Sequence, residues 1–184
     1  MRSASLKTER PDKDEHFLNR GKVVAERSTC LRRKIGAVII KDGVEVSSGY
    51  VGAPRGAVHC TDTGRCLRME MGIRHGERYE LCRSVHAEQN AIINAARIGV
   101  SIVGATMYVW SQRTEGAYHE KETSDKIYGP CLICKKEIIN AGLNGVCVKE
   151  EGVGTKTYGM EEIRQLLTEE EASWRRKKGS GEPL

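Results

Sequence analysis

The sequence predicts a three-layer α/β protein, with helices on both faces of a mixed sheet of roughly five strands. Three observations carry this. Helical and strand-like segments alternate in the order α-β-β-α-β-α-β, followed by a last helix. The first two strands are joined by Asp42-Gly43, a two-residue hairpin turn that makes them antiparallel. The later strands are separated by helices, which is the layout of a sheet with crossover connections.

The elements follow in order. From about Asp12 to Ser28, Phe17, Val24 and Ala25 fall at helical spacing. KIGAVIIKDGVEVSSGY is a hairpin, with strands Ile35 to Ile40 and Val44 to Tyr50. The stretch from Val51 to Ser84 is rich in Gly, Arg and Cys and has little period. HAEQNAIINAARIG reads as a helix, with Ala87, Ala91 and Ala95 on one side. Ala105 to Trp110 is a buried strand, and the polar run SQRTEGAYHEKETSDKIYG is a loop. PCLICKKEIINAG is a second helix, with Pro130 in its first turn and Gly142 as its stop. GVCVKE from Gly145 is a strand, and MEEIRQLLTEEEA is the last helix.

The bulk numbers describe an ordinary globular chain. Its 184 residues fit one domain, expected over 1–172, and 39% are hydrophobic, with a single Phe. The net charge is +5, and Arg175, Arg176, Lys177 and Lys178 supply four of those cations. They lie in SWRRKKGSGEPL, residues 173–184, expected as a disordered basic tail. The rest is near neutral, so a nucleic-acid partner is not expected. The N-terminal run lacks an apolar core for secretion, and IGAVII is too short to span a bilayer. Seven cysteines without export signals suggest metal chemistry in a reducing, cytoplasmic setting.

Four residues carry the chemistry. His86 and Glu88 form H-x-E at the start of one helix, and Cys131 and Cys134 form P-C-x-x-C at the start of another. One imidazole and two thiolates make three zinc ligands, the number that leaves a fourth position open for water. Cysteines three apart at a helix start share a face, and the dipole there favours thiolates. H-x-E followed by P-C-x-x-C is the pattern of zinc-dependent nucleobase deaminases, in which the Glu is an acid/base and not a ligand. Glu88 takes the catalytic role, and His86, Cys131 and Cys134 take the metal.

With these motifs, and with STCLRRKIGAVI, GYVGAPRG, ERYELCRSVHAEQNAI and GATMYV, the chain resembles the cytidine deaminase superfamily. Within it, the chain is most similar to the deoxycytidylate (dCMP) deaminases, over about Arg20 to Glu150. The resemblance implies a cytidine deaminase-like fold and hydrolysis of dCMP to dUMP with loss of ammonia. It also implies a cytoplasmic homo-oligomer, often a hexamer, that responds to dCTP and dTTP. It places the Ala87 N–H and the backbone before Pro130 on the base edge. In the GY-x-G-x-P stretch, family members commonly carry Asn where this chain has Val51, so the sugar must be held differently. Arg27, Arg55 and Arg83 are candidate phosphate partners, with Arg27-Ser28 first, and Tyr50 is a candidate pocket residue.

Four further thiols, Cys30, Cys60, Cys66 and Cys82, are candidates for a second, structural zinc that would organise the segment from Val51 to Ser84. His59 or His75 is an alternative ligand in that set. Two other readings compete with dCMP deamination. One is a deaminase of a modified cytosine nucleotide or another amino-heterocycle. The other is a non-catalytic zinc-stabilised module for a nucleic-acid complex, against which the intact Glu88 argues.

Overall fold

The computed structural model describes residues 10–73, 77–114 and 129–180, with side chains up to residue 172. His75 and most of the polar loop before Pro130 lie outside these residues. The first helix, α1, covers Lys13–Ala25 and is capped by Asp12, whose Oδ1 accepts the Glu15 N–H at 2.8 Å. Strands β1 (Arg33–Lys41) and β2 (Val44–Tyr50) form the expected hairpin. Asp42 and Gly43 both have positive φ, at 51° and 80°, as a type I′ turn requires.

Between Val51 and Ser84 the chain makes short helical pieces rather than one period. These are α2 (Cys60–Thr63), α3 (Leu67–Glu70) and a 3₁₀ turn at Tyr79–Leu81. Helix α4 spans Ala87–Arg97, β3 Thr106–Arg113, α5 Leu132–Asn140 and β4 Gly145–Glu150. Strand β5 (Gly154–Gly159) and helix α6 (Met160–Ser180) complete the order.

The sheet runs β2-β1-β3-β4-β5. Only β3 and β4 are parallel, with α5 as their crossover; the other pairs are antiparallel. Side chains alternate across it. Ala37, Ile39, Met107, Val109, Val146 and Val148 face the helices α4, α5 and α6. Val38, Ile40, Tyr108 and Cys147 face α1. The three layers are therefore unequal, with α1 on one face and α4, α5 and α6 on the other.

Two glycines let helices lie directly on the sheet. A Cβ on Gly36 would meet the Gly21 carbonyl of α1 at 2.2 Å. A Cβ on Gly49 would meet the Ala91 nitrogen of α4 at 2.3 Å. The contact at Gly49 is fixed by hydrogen bonds: Ser47 Oγ donates to the Ala91 carbonyl, and Asn90 and Asn94 donate to the Tyr50 and Ser48 carbonyls.

Three details differ from the sequence reading. Strand β5 went unread because only Tyr158 of its residues is buried, so GTKTYG carries no apolar alternation. Pro130 precedes the cap of α5 rather than sitting in its first turn; Cys131 is the cap, with extended φ −66° and ψ 168°. Helix α6 continues to Ser180, eight residues beyond the expected domain end at Ala172. Glu171 stands four residues before Arg175, an acid–base spacing that supports helix.

Candidate active site

The site forms where the starts of α4 and α5 meet, at the edge of the sheet where the parallel strands β3 and β4 end. His86 caps α4, and its N–H is accepted by Gln89 Oε1 at 3.0 Å. Gln89 in turn donates to Glu137 Oε1 of α5 at 2.8 Å, which ties the two helix starts together. Cys131 caps α5, and Cys134 lies one turn into it, fully buried.

His86 Nδ1 lies 3.3 Å from Cys131 Sγ and 3.4 Å from Cys134 Sγ, and all three ligand atoms fall within 4.8 Å of one another. With Zn–S near 2.3 Å and Zn–N near 2.0–2.1 Å, a tetrahedron sets sulfur and nitrogen about 3.6 Å apart. The three donors therefore fit zinc. Tyr79 packs edge-on to the His86 ring, centroids 5.0 Å apart, and Arg68 stacks on the outer face of Tyr79 at 4.9 Å.

The electrostatics suit a metal. The hydrogen bond with Cys134 lowers the Cys131 thiol to about 4, against its burial and helped by His86. The same bond and burial raise Cys134, so the pair holds one proton between them. Burial pulls His86 down, but its contact with Cys131 outweighs this and leaves it raised. Glu88 is 8% exposed and lines the same cleft. Burial raises its carboxyl above the usual range, with His86 opposing.

A cleft of about 1400 Å³ opens over these residues. Val109 and Ser111 of β3 form its floor with Arg33. Beneath them Glu150, 1% exposed, joins Arg33 and Arg113 in a buried ion cluster. Sequence reading missed this cluster, since nothing in the spacing of Arg33 and Glu150 marks them as partners. At one end Lys135 of α5 pairs with Glu170 of α6 at 2.7 Å. At the other end Cys30, Cys60, Cys66 and Cys82 all reach the cleft. Burial raises the Cys30 and Cys60 thiols, and the neighbouring thiols of the set add to it. The four therefore gather, but no three of their sulfurs lie within 4.8 Å of one another; among the described residues, His86, Cys131 and Cys134 alone meet that spacing.

The remaining candidates separate. Val51 and Arg83 line the cleft. Arg83 donates to the Val58 carbonyl at 3.3 Å and has no carboxylate partner among the described residues. Arg27 is exposed beyond α1, and the Ser28 hydroxyl is spent on Ile35. Arg55 binds Asn94 on the outer side of α4. The Tyr50 ring lies against Gly52, and Ala87 is buried in the first turn of α4.

A mixed sheet with a His–Cys–Cys centre and a buried carboxyl at two paired helix starts defines a zinc-dependent deaminase. The chain belongs to the cytidine and deoxycytidylate deaminase family, whose zinc-binding region matches residues 11–150. It is 34% identical over 144 residues to the deoxycytidylate deaminase of Mycobacterium phage D29, covering 77% of this chain and 98% of that one. It is 32% identical over 157 residues to ComE operon protein 2 of Bacillus subtilis, covering 85% and 69%. The apo structure of dCMP deaminase from cyanophage S-TIM5 shares the fold, with a TM-score of 0.54 at 24% identity, over 86% of this chain and 94% of that one.

Proposed function

We propose that the protein hydrolyses dCMP to dUMP with release of ammonia, in a route that feeds thymidylate synthesis. The observation that carries this is the triad of His86, Cys131 and Cys134 at zinc-ligand spacing beside a buried Glu88. Zinc in such a site supplies a bound water with a pKa near 7. Glu88 takes a proton from the attacking water and passes it to ring N3, then carries the second proton, from the new hydroxyl on C4, to the departing amine as C4=O forms and the C4–N bond breaks. Its raised carboxyl suits a group that must accept and release a proton. The Ala87 N–H and the backbone before Pro130 hold the base edge. Arg83 is the phosphate cation; of the three arginines proposed from sequence, it lines the cleft and lacks an acid partner among the described residues. The relative from phage D29, named a deoxycytidylate deaminase, supports the substrate.

Val51 keeps a second reading open, because this apolar residue walls the cleft at 5% exposure. That reading is a modified cytosine nucleotide or another amino-heterocycle as substrate. Ammonia release, measured over a panel of cytosine, cytidine, deoxycytidine, dCMP, modified dCMPs and single-stranded DNA, separates them. Activity centred on dCMP is expected. Equal kcat/KM for deoxycytidine and dCMP removes the phosphate assignment, and activity only on a modified ring favours the second reading.

The same proposal includes a structural zinc on Cys30, Cys60, Cys66 and Cys82. Their place on one cleft and the mutual effect of their thiols support it. It also includes a cytoplasmic homo-oligomer, a hexamer by resemblance, regulated by dCTP and dTTP. Exposed Ile93, Ile98 and Val103 on and after α4 support self-association. No helix of the described residues is long and apolar enough to cross a membrane.

A further inference from the structure

We propose that Tyr158 is a positioning residue for the reaction: its ring, packed on Gly129, sets the place of the 129–130 backbone and through it the fit of the base. This deepens the dCMP reading above, in which the backbone before Pro130 holds the base edge, and rests on it. Gly129 and Pro130 line the cleft immediately ahead of Cys131, the cap of α5, and Tyr158 of β5 lines the cleft with them. Tyr158 is 4% exposed and belongs to the core between the sheet and helices α4, α5 and α6. Its backbone is paired in register with Val146 of β4. Lys156 Nζ lies 4.5 Å from the ring centroid and is held in turn by Glu162 of α6 at 3.0 Å. The ring is thus fixed by the sheet, the core and a cation, none of which belongs to the 129–131 segment.

The contact at Gly129 is close. A Cβ there would stand 3.0 Å from Cζ, 3.2 Å from the hydroxyl oxygen and 3.3 Å from Cε1 of Tyr158. Those separations are tighter than packed side chains adopt, so an added methyl must push the segment or the ring aside. The Gly129 backbone does not take the left-handed conformation that calls for glycine. What leaves no room for a side chain at 129 is therefore the Tyr158 ring and not the turn of the chain. Pro130 fixes its own φ and holds the residue before it extended, so the segment enters Cys131 with little freedom. Beyond Cys131 the chain is secured by α5 and by the Gln89–Glu137 bond to α4. The ring bears on the other end of this short span, and a shift there moves the base edge relative to the metal ligands.

The test measures dCMP deamination, its inhibition by the product dUMP, and zinc content on the full zinc-loaded chain. Gly129→Ala should raise the dUMP inhibition constant by at least about tenfold with zinc unchanged, since a misplacement of about 1 Å is worth up to about a hundredfold. Tyr158→Leu, which removes the ring from position 129, should also weaken dUMP. Adding Gly129→Ala to Tyr158→Leu should then change the inhibition constant by less than about threefold, because the two substitutions act on one contact. Tyr158→Phe keeps the ring and should stay within about threefold of the wild type. Wild-type inhibition by dUMP in Gly129→Ala overturns the proposal, and this single variant decides the matter if Tyr158→Leu does not fold. An equal effect of Gly129→Ala with and without the Tyr158 ring overturns it too, as does a Tyr158→Phe enzyme as impaired as Tyr158→Leu. A wild type that releases no ammonia from dCMP overturns the dCMP reading and this inference with it; an active wild type with any of the other contrary results overturns this inference alone.

Discussion

Replacing Gly49 by alanine should loosen the metal centre from a distance. The new Cβ would stand 2.3 Å from the Ala91 nitrogen and 2.7 Å from the Ala87 carbonyl, both backbone atoms of α4. Neither can turn aside, so α4 must withdraw from β2 by roughly 1 Å to reach ordinary contact. The bonds from Ser47, Asn90 and Asn94, now 2.7–2.8 Å, would stretch past useful length. At about 1 kcal/mol for each of three bonds and about 1–3 kcal/mol for overpacking, the loss is of the order of 4–6 kcal/mol. Relaxation of the edge strand β2 will return part of this. At about 2–4 °C per kcal/mol for a chain of this size, Tm should fall by roughly 10–15 °C. Because α4 carries His86 at its cap, zinc affinity should fall as well. Gly159→Ala is the control; its Cβ meets nothing within 4 Å, so Tm should stay near the wild-type value. Thermal unfolding with zinc analysis reads both effects. A Gly49→Ala protein with wild-type Tm and full zinc would refute the close approach of α4 to β2.

Glu150→Gln should destabilise the fold by about 3–5 kcal/mol, because it strands Arg33 and Arg113 without their buried acid; chemical denaturation would measure this. Zinc uptake near neutral pH should release protons, since Cys134 is held protonated and His86 raised in the metal-free site. Affinity should then weaken by about tenfold per pH unit for each proton displaced as pH falls, and calorimetry in buffers of different ionisation enthalpy checks it. Metal analysis should give about two zinc per chain, falling to about one, with a lower Tm, in Cys60→Ser and Cys66→Ser variants. One zinc per chain, unchanged in those variants, removes the second site.

The metal centre was legible because its geometry is local. His86 and Glu88 stand at one helix start, Cys131 and Cys134 are one turn apart at another, and only one long-range meeting had to be guessed. Helices α4 and α5 and strands β1 to β4 were readable for the same reason. What failed to show depends on pairing in space. Strand β5 is edge and mostly exposed, so its residues lack a periodic apolar signal. Along the chain Arg27-Ser28 stood first among three arginines, yet Arg27 is exposed beyond α1, Arg55 turns to Asn94, and Arg83, beside the bridge between Gly52 and Val85, lines the cleft. Glu150 sits at the end of an ordinary strand, and its two arginines come from β1 and β3.

In the proposed function, Glu88 moves protons beside a metal held by His86, Cys131 and Cys134. The most direct measurement is kcat for dCMP with Glu88→Gln, on protein shown to hold wild-type zinc and to melt normally. Positioned proton transfer is worth about 100- to 10,000-fold, so kcat should fall by at least about 100-fold with zinc unchanged. A zinc-loaded Glu88→Gln enzyme that keeps more than about a tenth of wild-type kcat would contradict proton transfer by Glu88.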